Sequence, residues 1–169
     1  MHRLIVLVAV ALGVAAAAAG ASVRSFDLGS GFVDGHRVLG KSVAGVTAVL
    51  GRPAYRHETR SRYVLGYRLP PATVEVLFRR AAGRLVARTV VLQDPLLTEA
   101  KTGRLLQRSP RGIQAAIAAA YPGQYKLVRS YRCRTPTLCS GEFLSTDGTR
   151  HVTFGRTAGG ARFVTIWLR

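Results

Sequence analysis

The sequence predicts an α+β fold: two tandem repeats of one short helix followed by an antiparallel β-meander, with one sheet face covered by helix. Three observations predict it. Two segments far apart in the chain share a serine-capped, helix-periodic pattern. Each is followed by a series of short runs in which apolar and polar residues alternate. Pro-, Gly- and Asp-rich turns separate those runs closely enough for hairpins rather than crossovers.

Residues 1–21 come first. His2 and Arg3 form a short basic start, Leu4–Ala19 is apolar and uncharged, and Ala19-Gly20-Ala21 offers small side chains where a signal peptidase requires them. The segment therefore reads as a signal peptide cleaved near Ala21. A retained anchor is the alternative, but this run is short of the roughly 20 residues that span a bilayer. No cysteine follows it to carry a lipid. Residues 22–35, with Gly29-Ser30-Gly31, read as a flexible linker.

The first repeat is assigned to 36–93. Ser42 caps a helix in which Val46, Val49 and Leu50 form an i, i+3, i+4 stripe, and Gly51-Arg52-Pro53 ends it. Strands are expected at Tyr55–Glu58, Arg62–Leu69, Thr73–Arg80 and Arg84–Gln93, with turns at Pro70-Pro71 and Ala81-Ala82-Gly83. A linker, 94–104, follows and carries Asp94-Pro95 and Gly103 as breaks. The second repeat, 105–169, opens on Ser109-Pro110, a strong helix start because serine caps free N–H groups and proline tolerates the first helical position. Ile113, Ala116 and Ile117 repeat the apolar stripe, and Tyr121-Pro122-Gly123 ends it. Strands are expected at Gln124–Cys133, Cys139–Leu144, Arg150–Gly155 and Arg162–Leu168. Val76, Phe78, Val90 and Leu92 align with Val152, Phe154, Ile166 and Leu168, so the copies differ by an insertion where the cysteines lie.

Gly40-Lys41-Ser42, the apolar helix positions, Leu50-Gly51-Arg52-Pro53 and a tyrosine-bearing strand resemble the BamE-like (SmpA/OmlA) domain. The pattern is also similar to the unit found twice in the β-lactamase-inhibitor proteins of actinomycetes. The match is good over 36–93 and looser in the second copy, where Ala119-Ala120-Tyr121-Pro122 replaces Leu-Gly-x-Pro. The resemblance implies an exported binding or scaffolding module and not an enzyme; it does not transfer a partner.

Charge and cysteines narrow the function classes. The chain has 25 Lys and Arg against 8 Asp and Glu, a formal net charge of +17. Such a balance attracts anionic surfaces. The excess is almost all arginine and is spread along the chain, as a high-GC genome would also produce, and no dense nucleic-acid-binding arm is present. Cys133 and Cys139 flank a proline turn and read as a structural disulfide of an oxidising compartment. Two cysteines without a histidine at ligand spacing do not make a zinc site. The acidic residues are scattered, and no His-Glu-x-x-His, Gly-x-Ser-x-Gly or phosphate-loop pattern occurs, so no catalytic, metal or cofactor residues are assigned. A hydrolase assembled from distant residues is the remaining enzyme reading.

Strand alternation singles out one sheet face as the candidate partner surface: Trp167, Phe163, Thr165, His151, Thr153, Arg79, Glu75 and Thr89. Aromatics beside arginines are frequent interface anchors; the competing reading packs Trp167 and Phe163 as a minor core. Tyr63, Leu65, Tyr67 and Leu69 form a second stripe, opposite Arg62 and Arg68, which would suit stacking on single-stranded nucleic acid if exposed; packed strand tyrosines are the commoner outcome, so nucleic acid is disfavoured. The expected function is a secreted or cell-envelope binding module whose partner is a protein or an anionic envelope component. A cationic protein acting at a membrane surface or cell wall is the alternative.

Overall fold

The computed structural model describes residues 23–60 and 62–169; the expected signal peptide, 1–21, lies outside the described residues. The fold is α+β. Both helices form where their caps direct. In α1 (Val43–Leu50) the Ser42 side chain accepts from Gly45 N at 3.2 Å, and Gly51, at φ 79°, ends the helix. In α2 (Pro110–Ala120) Ser109 accepts from Gly112 N at 3.1 Å, with Pro110 in the first turn. Val46 and Leu50 of α1, and Ile113 and Ile117 of α2, are the buried faces.

Three short strands, β1 (Ser25–Asp27), β2 (Phe32–Val33) and β3 (His36–Arg37), precede α1. After α1 come β4 (Tyr55–Glu58), β5 (Tyr63–Gly66), β6 (Val74–Ala81) and β7 (Arg84–Leu92), then β8 (Thr98–Glu99) and a 3-10 turn at Leu105–Gln107. After α2 come β9 (Tyr125–Thr135), β10 (Leu138–Ser145), β11 (Arg150–Arg156) and β12 (Arg162–Leu168). The main sheet has eight strands in the order β4-β5-β6-β7-β12-β11-β10-β9, every neighbouring pair antiparallel. Each helix thus precedes four sequential strands, and the last strands of the two sets, β7 and β12, meet in the middle.

Period-two alternation places the apolar residues of these strands on one face. A single cross-strand row runs Leu65, Val76, Val90, Ile166, Val152, Phe143, each directly opposite the next and none more than 2% exposed. That row belongs to one core cluster with the apolar stripes of both helices. A bulge interrupts the pattern in β7: Leu77 faces Thr89 but Phe78 faces Ala87, which leaves Arg88 as an extra residue. Ala87 is therefore buried with Val90, on the face opposite to that expected from unbroken alternation with Thr89 and Val91.

Residues 22–35 are not a flexible linker along their described part. β1 pairs antiparallel with β2 and parallel with β8, forming a second sheet of order β3-β2-β1-β8. Val23, Phe26, Leu28 and Val33 are at most 2% exposed, so the segment contributes core. Gly31, at φ 73°, makes a tight turn instead, its N–H donating to Asp27 O at 2.8 Å. Asp34 and Gly35, both at positive φ (47° and 75°), form the two-residue connection of the β2–β3 hairpin.

The 94–104 segment is also packed. Asp94, 1% exposed, pairs with Arg68 Nε at 2.9 Å, and Arg68 donates to Val23 O at 2.7 Å. Glu99, 0% exposed, accepts from five donors: Leu28 N, Lys101 N, Thr102 N, Thr102 Oγ1 and Tyr121 Oη. One carboxylate thereby ties the N-terminal segment, the linker and the end of α2 together. Burial, reinforced by the Glu99 carboxylate, pushes the Tyr121 phenol well above its ordinary value.

Candidate functional site

The helices and the small sheet cover one face of the eight strands, and among the described residues no layer lies over the other face. Glu75, Leu77, Thr89, Val91, Thr165, Trp167, Phe163, His151, Thr153 and Glu142 lie on it, all of intermediate exposure. Seven of the eight partner-face residues expected from alternation sit on these neighbouring strands in one patch, with Thr153 opposite Thr165, His151 opposite Trp167, and Trp167 opposite Thr89. Arg79, the eighth, is exposed near the β6–β7 hairpin and lines a recess with Thr89 and Trp167.

The aromatic residues lie against the sheet rather than standing off it. Phe163 is directly opposite Gly155, where an added Cβ would sit 2.9 Å from the Phe163 ring. Tyr55 does the same over Gly66, where a Cβ would meet the ring at 2.1 Å. These glycines leave room for a neighbouring ring to cover the backbone. The Tyr55 hydroxyl then donates to Glu75 Oε1 at 2.5 Å. Burial, with the hydrogen bond to Glu75 added, pushes the Tyr55 phenol well up.

The centre of the second half is a polar cluster that strand alternation alone identified only in part. His151 Nδ1 is 2.6 Å from Glu142 Oε1, and Arg129 Nη2 is 3.2 Å from Glu142 Oε2. A carboxylate oxygen accepts, so Nδ1 carries the proton. The imidazole stacks on Trp167 with centroids 3.9 Å apart and planes 15° apart, and Trp167 Nε1 donates to Thr153 Oγ1 at 3.4 Å. His151 Nε2 and Arg129 Nε are buried without a hydrogen-bond partner among the described residues. Among the described residues no serine, threonine or cysteine is hydrogen-bonded to Nε2. Glu142 and Arg129 were missed because their relevance depends on which strands lie beside β11. The signal available was Glu142 on the alternation of β10.

The other expected stripe divides. Tyr63, Leu65 and Tyr67 are at most 8% exposed and belong to the core, while Leu69 is 66% exposed. These tyrosines form no surface for stacking bases. Arg56 lies over the Tyr63 ring, 5.4 Å from its centroid.

Cys133 and Cys139 are bonded, directly opposite one another on β9 and β10 with Cα atoms 3.9 Å apart. The disulfide suggests an oxidising, extracytoplasmic location. Among the described residues no group of three or more His, Cys, Asp or Glu side chains is placed to hold a metal ion, and no helix is long and apolar enough to cross a membrane.

Two recesses, of about 440 and 530 Å³, lie on opposite faces of the sheet at the β6–β7 hairpin end and share Arg79 and Arg80 as walls. The larger is completed by Arg88, Thr89, Trp167 and Arg169, the smaller by Arg60, Arg62, Tyr63 and Phe78 among others. A third, of about 400 Å³, lies on the bare face between Tyr55, His57, Glu75 and Val91. Comparison with protein-family models, with curated proteins and with solved structures gives no match to the chain.

Proposed function

We propose that this chain is an exported, non-enzymatic binding module that presents the uncovered face of its eight-stranded sheet to a protein or anionic partner of the cell envelope. The observation that carries the reading is the asymmetry of that sheet. One face holds the apolar core, whereas the other displays Trp167, His151, Phe163, Thr165 and Thr153 half-exposed, with no layer over them among the described residues. A wide antiparallel sheet with one open face offers a rigid platform, and half-exposed aromatics with two soft torsions supply contact area at small entropic cost. Export is the compartment that the disulfide favours, with the 1–21 segment as its signal peptide.

The module consists of two tandem helix-plus-meander repeats, as the resemblance to BamE-like domains and to the actinomycete inhibitor proteins implies. Two features support this. Each helix precedes four sequential strands that run from one sheet edge to the middle, and the aligned pairs Val76–Val90 and Val152–Ile166 are each directly opposite in register.

A photo-crosslinking residue placed at Thr165 in the full chain, expressed in its native cells, tests the face. A discrete adduct from Thr165 and none from the exposed turn residue Thr146 is expected. Equal labelling from both positions, or none from Thr165, removes the proposal. The alternative, a protein acting through charge at a membrane or cell wall, rests on the net charge of +17. It predicts association that collapses between low and physiological salt, whereas an aromatic-anchored contact persists.

A further inference from the structure

At the β6–β7 hairpin end of the sheet the arginines stop being scattered. Arg60, Arg62, Arg79, Arg80, Arg88 and Arg169 line two recesses, one on each face of the sheet: Tyr63, Phe78 and Leu85 of the core-covered face wall the smaller, Thr89 and Trp167 of the bare face the larger. None of the six has a carboxylate within ion-pairing distance among the described residues. The one acidic side chain there, Glu58, is engaged by Arg56. Arg88 is the extra residue of the β7 bulge, a device that re-aims a side chain at the cost of ladder regularity. Like charges gathered in a concave site repel one another, and a bound anion relieves that repulsion.

We propose that these recesses bind a linear phosphate-bearing polyanion, a step that deepens the bare-face reading by naming a partner class for its arginine-lined end. Four points select this occupant. The cations are guanidiniums without exception, and guanidiniums grip phosphate oxygens bidentately. They come from separate strands and loops, so several converge on one site; a tetrahedral phosphate presents oxygens in three dimensions, whereas a planar carboxylate is filled by one fork. The two recesses lie on opposite sides of the strand end that carries Arg79 and Arg80, so an occupant of both must be long enough to pass round the β6–β7 hairpin, which a single ion is not. A bilayer fits poorly, because the strongly exposed apolar side chains lie elsewhere: Leu69 and Leu96 at the opposite end of the β6–β7 hairpin, Leu127 and Val128 on the far edge strand β9.

The test uses the purified protein and fluorescently labelled inorganic polyphosphate, with the double variant Arg80→Gln/Arg88→Gln. A control variant, Arg111→Gln/Arg156→Gln, removes the same charge from exposed sites on α2 and the end of β11. We expect the recess variant to bind ~10-fold or more weakly at physiological salt, the control to change less than ~3-fold, and the slope of log affinity against log salt to fall by about one to two in the recess variant only. Equal losses in the two variants overturn the proposal. So does binding of polyglutamate, or of phosphatidylglycerol vesicles, as tight as that of polyphosphate. The Thr165 crosslink, repeated in the recess variant, separates the two ideas: an adduct that survives while polyphosphate binding fails to show the expected pattern leaves the bare-face reading standing alone.

Discussion

Replacing Glu99 by glutamine should destabilise the fold by about 3 kcal/mol, although the two side chains have nearly the same volume. Glu99 is 0% exposed and meets donors only. Leu28 N and Tyr121 Oη serve Oε1, while Lys101 N, Thr102 N and Thr102 Oγ1 serve Oε2. An amide must turn its own donors toward one of these sets. The cheaper arrangement puts nitrogen at the Oε1 position, because the Tyr121 hydroxyl can rotate to accept and still donate to Asp27 Oδ1, 3.3 Å away. Leu28 N–H is then orphaned, which costs about 1–3 kcal/mol. The three bonds on the other oxygen lose their charge assistance, roughly 1 kcal/mol each. Relief of the carboxylate's desolvation returns part of this, leaving about 3 kcal/mol net. With a urea dependence of about 2 kcal/mol per molar, the unfolding midpoint should fall by about 1.5 M. Circular dichroism in urea reads the shift, and hydrogen exchange at Leu28, Lys101 and Thr102 localises it. Glu58→Gln, which touches an exposed ion pair, should move stability by less than about 0.5 kcal/mol. A midpoint for Glu99→Gln no lower than that of the Glu58 control would refute the argument.

Three further outcomes are expected. Gly155→Ala places a Cβ 2.2 Å from the Cys139 carbonyl oxygen and 2.9 Å from the Phe163 ring, so thermal melting should show a loss of about 2–3 kcal/mol, whereas Gly159→Ala, whose Cβ meets nothing closer than 3.9 Å, should be nearly neutral. Cys133→Ser with Cys139→Ser opens a link of sequence separation 6 and should cost about 2 kcal/mol, with increased hydrogen exchange confined to the β9–β10 tip. Asp147 accepts from the Ser145 hydroxyl first and then from Thr149, which holds its carboxyl at about 2 against an ordinary 3.8. A depressed native value stabilises the fold above pH 3.8 and loses that contribution as pH falls toward 2, so Asp147→Asn should flatten the stability profile across that window in acid melts.

How much was legible before the structure depended on the range of the interaction involved. The caps at Ser42 and Ser109 were readable because each serine acts on an N–H three residues away. Tyr55–Glu58 and Arg162–Leu168 coincide with β4 and β12 as expected, because alternation and turn residues are local signals. The disulfide was readable because a short turn alone brings its cysteines together. The candidate face was partly readable for the same reason: alternation states which residues share a side of a strand. It does not state which strand comes next, so the Arg129–Glu142–His151–Trp167 cluster could not be assembled from it. Nor does it count bulges, which is why Ala87 turned inward and Arg88 outward.

The sequence by itself, then, determined the α+β class, both helices, the approximate positions of the eight long-sheet strands and the apolar side of β11 and β12. Only the tertiary structure decided that Ser25–Asp27, Phe32–Val33, His36–Arg37 and Thr98–Glu99 form a second sheet, that Glu99 and Asp94 are buried, and that six arginines gather at the β6–β7 hairpin end. The physical reason is sequence separation. Leu28 N reaches Glu99 across 71 positions and Arg150 reaches Gly29 O across 121. Two-residue strands of mixed composition carry no periodicity of their own and take their conformation from such distant partners.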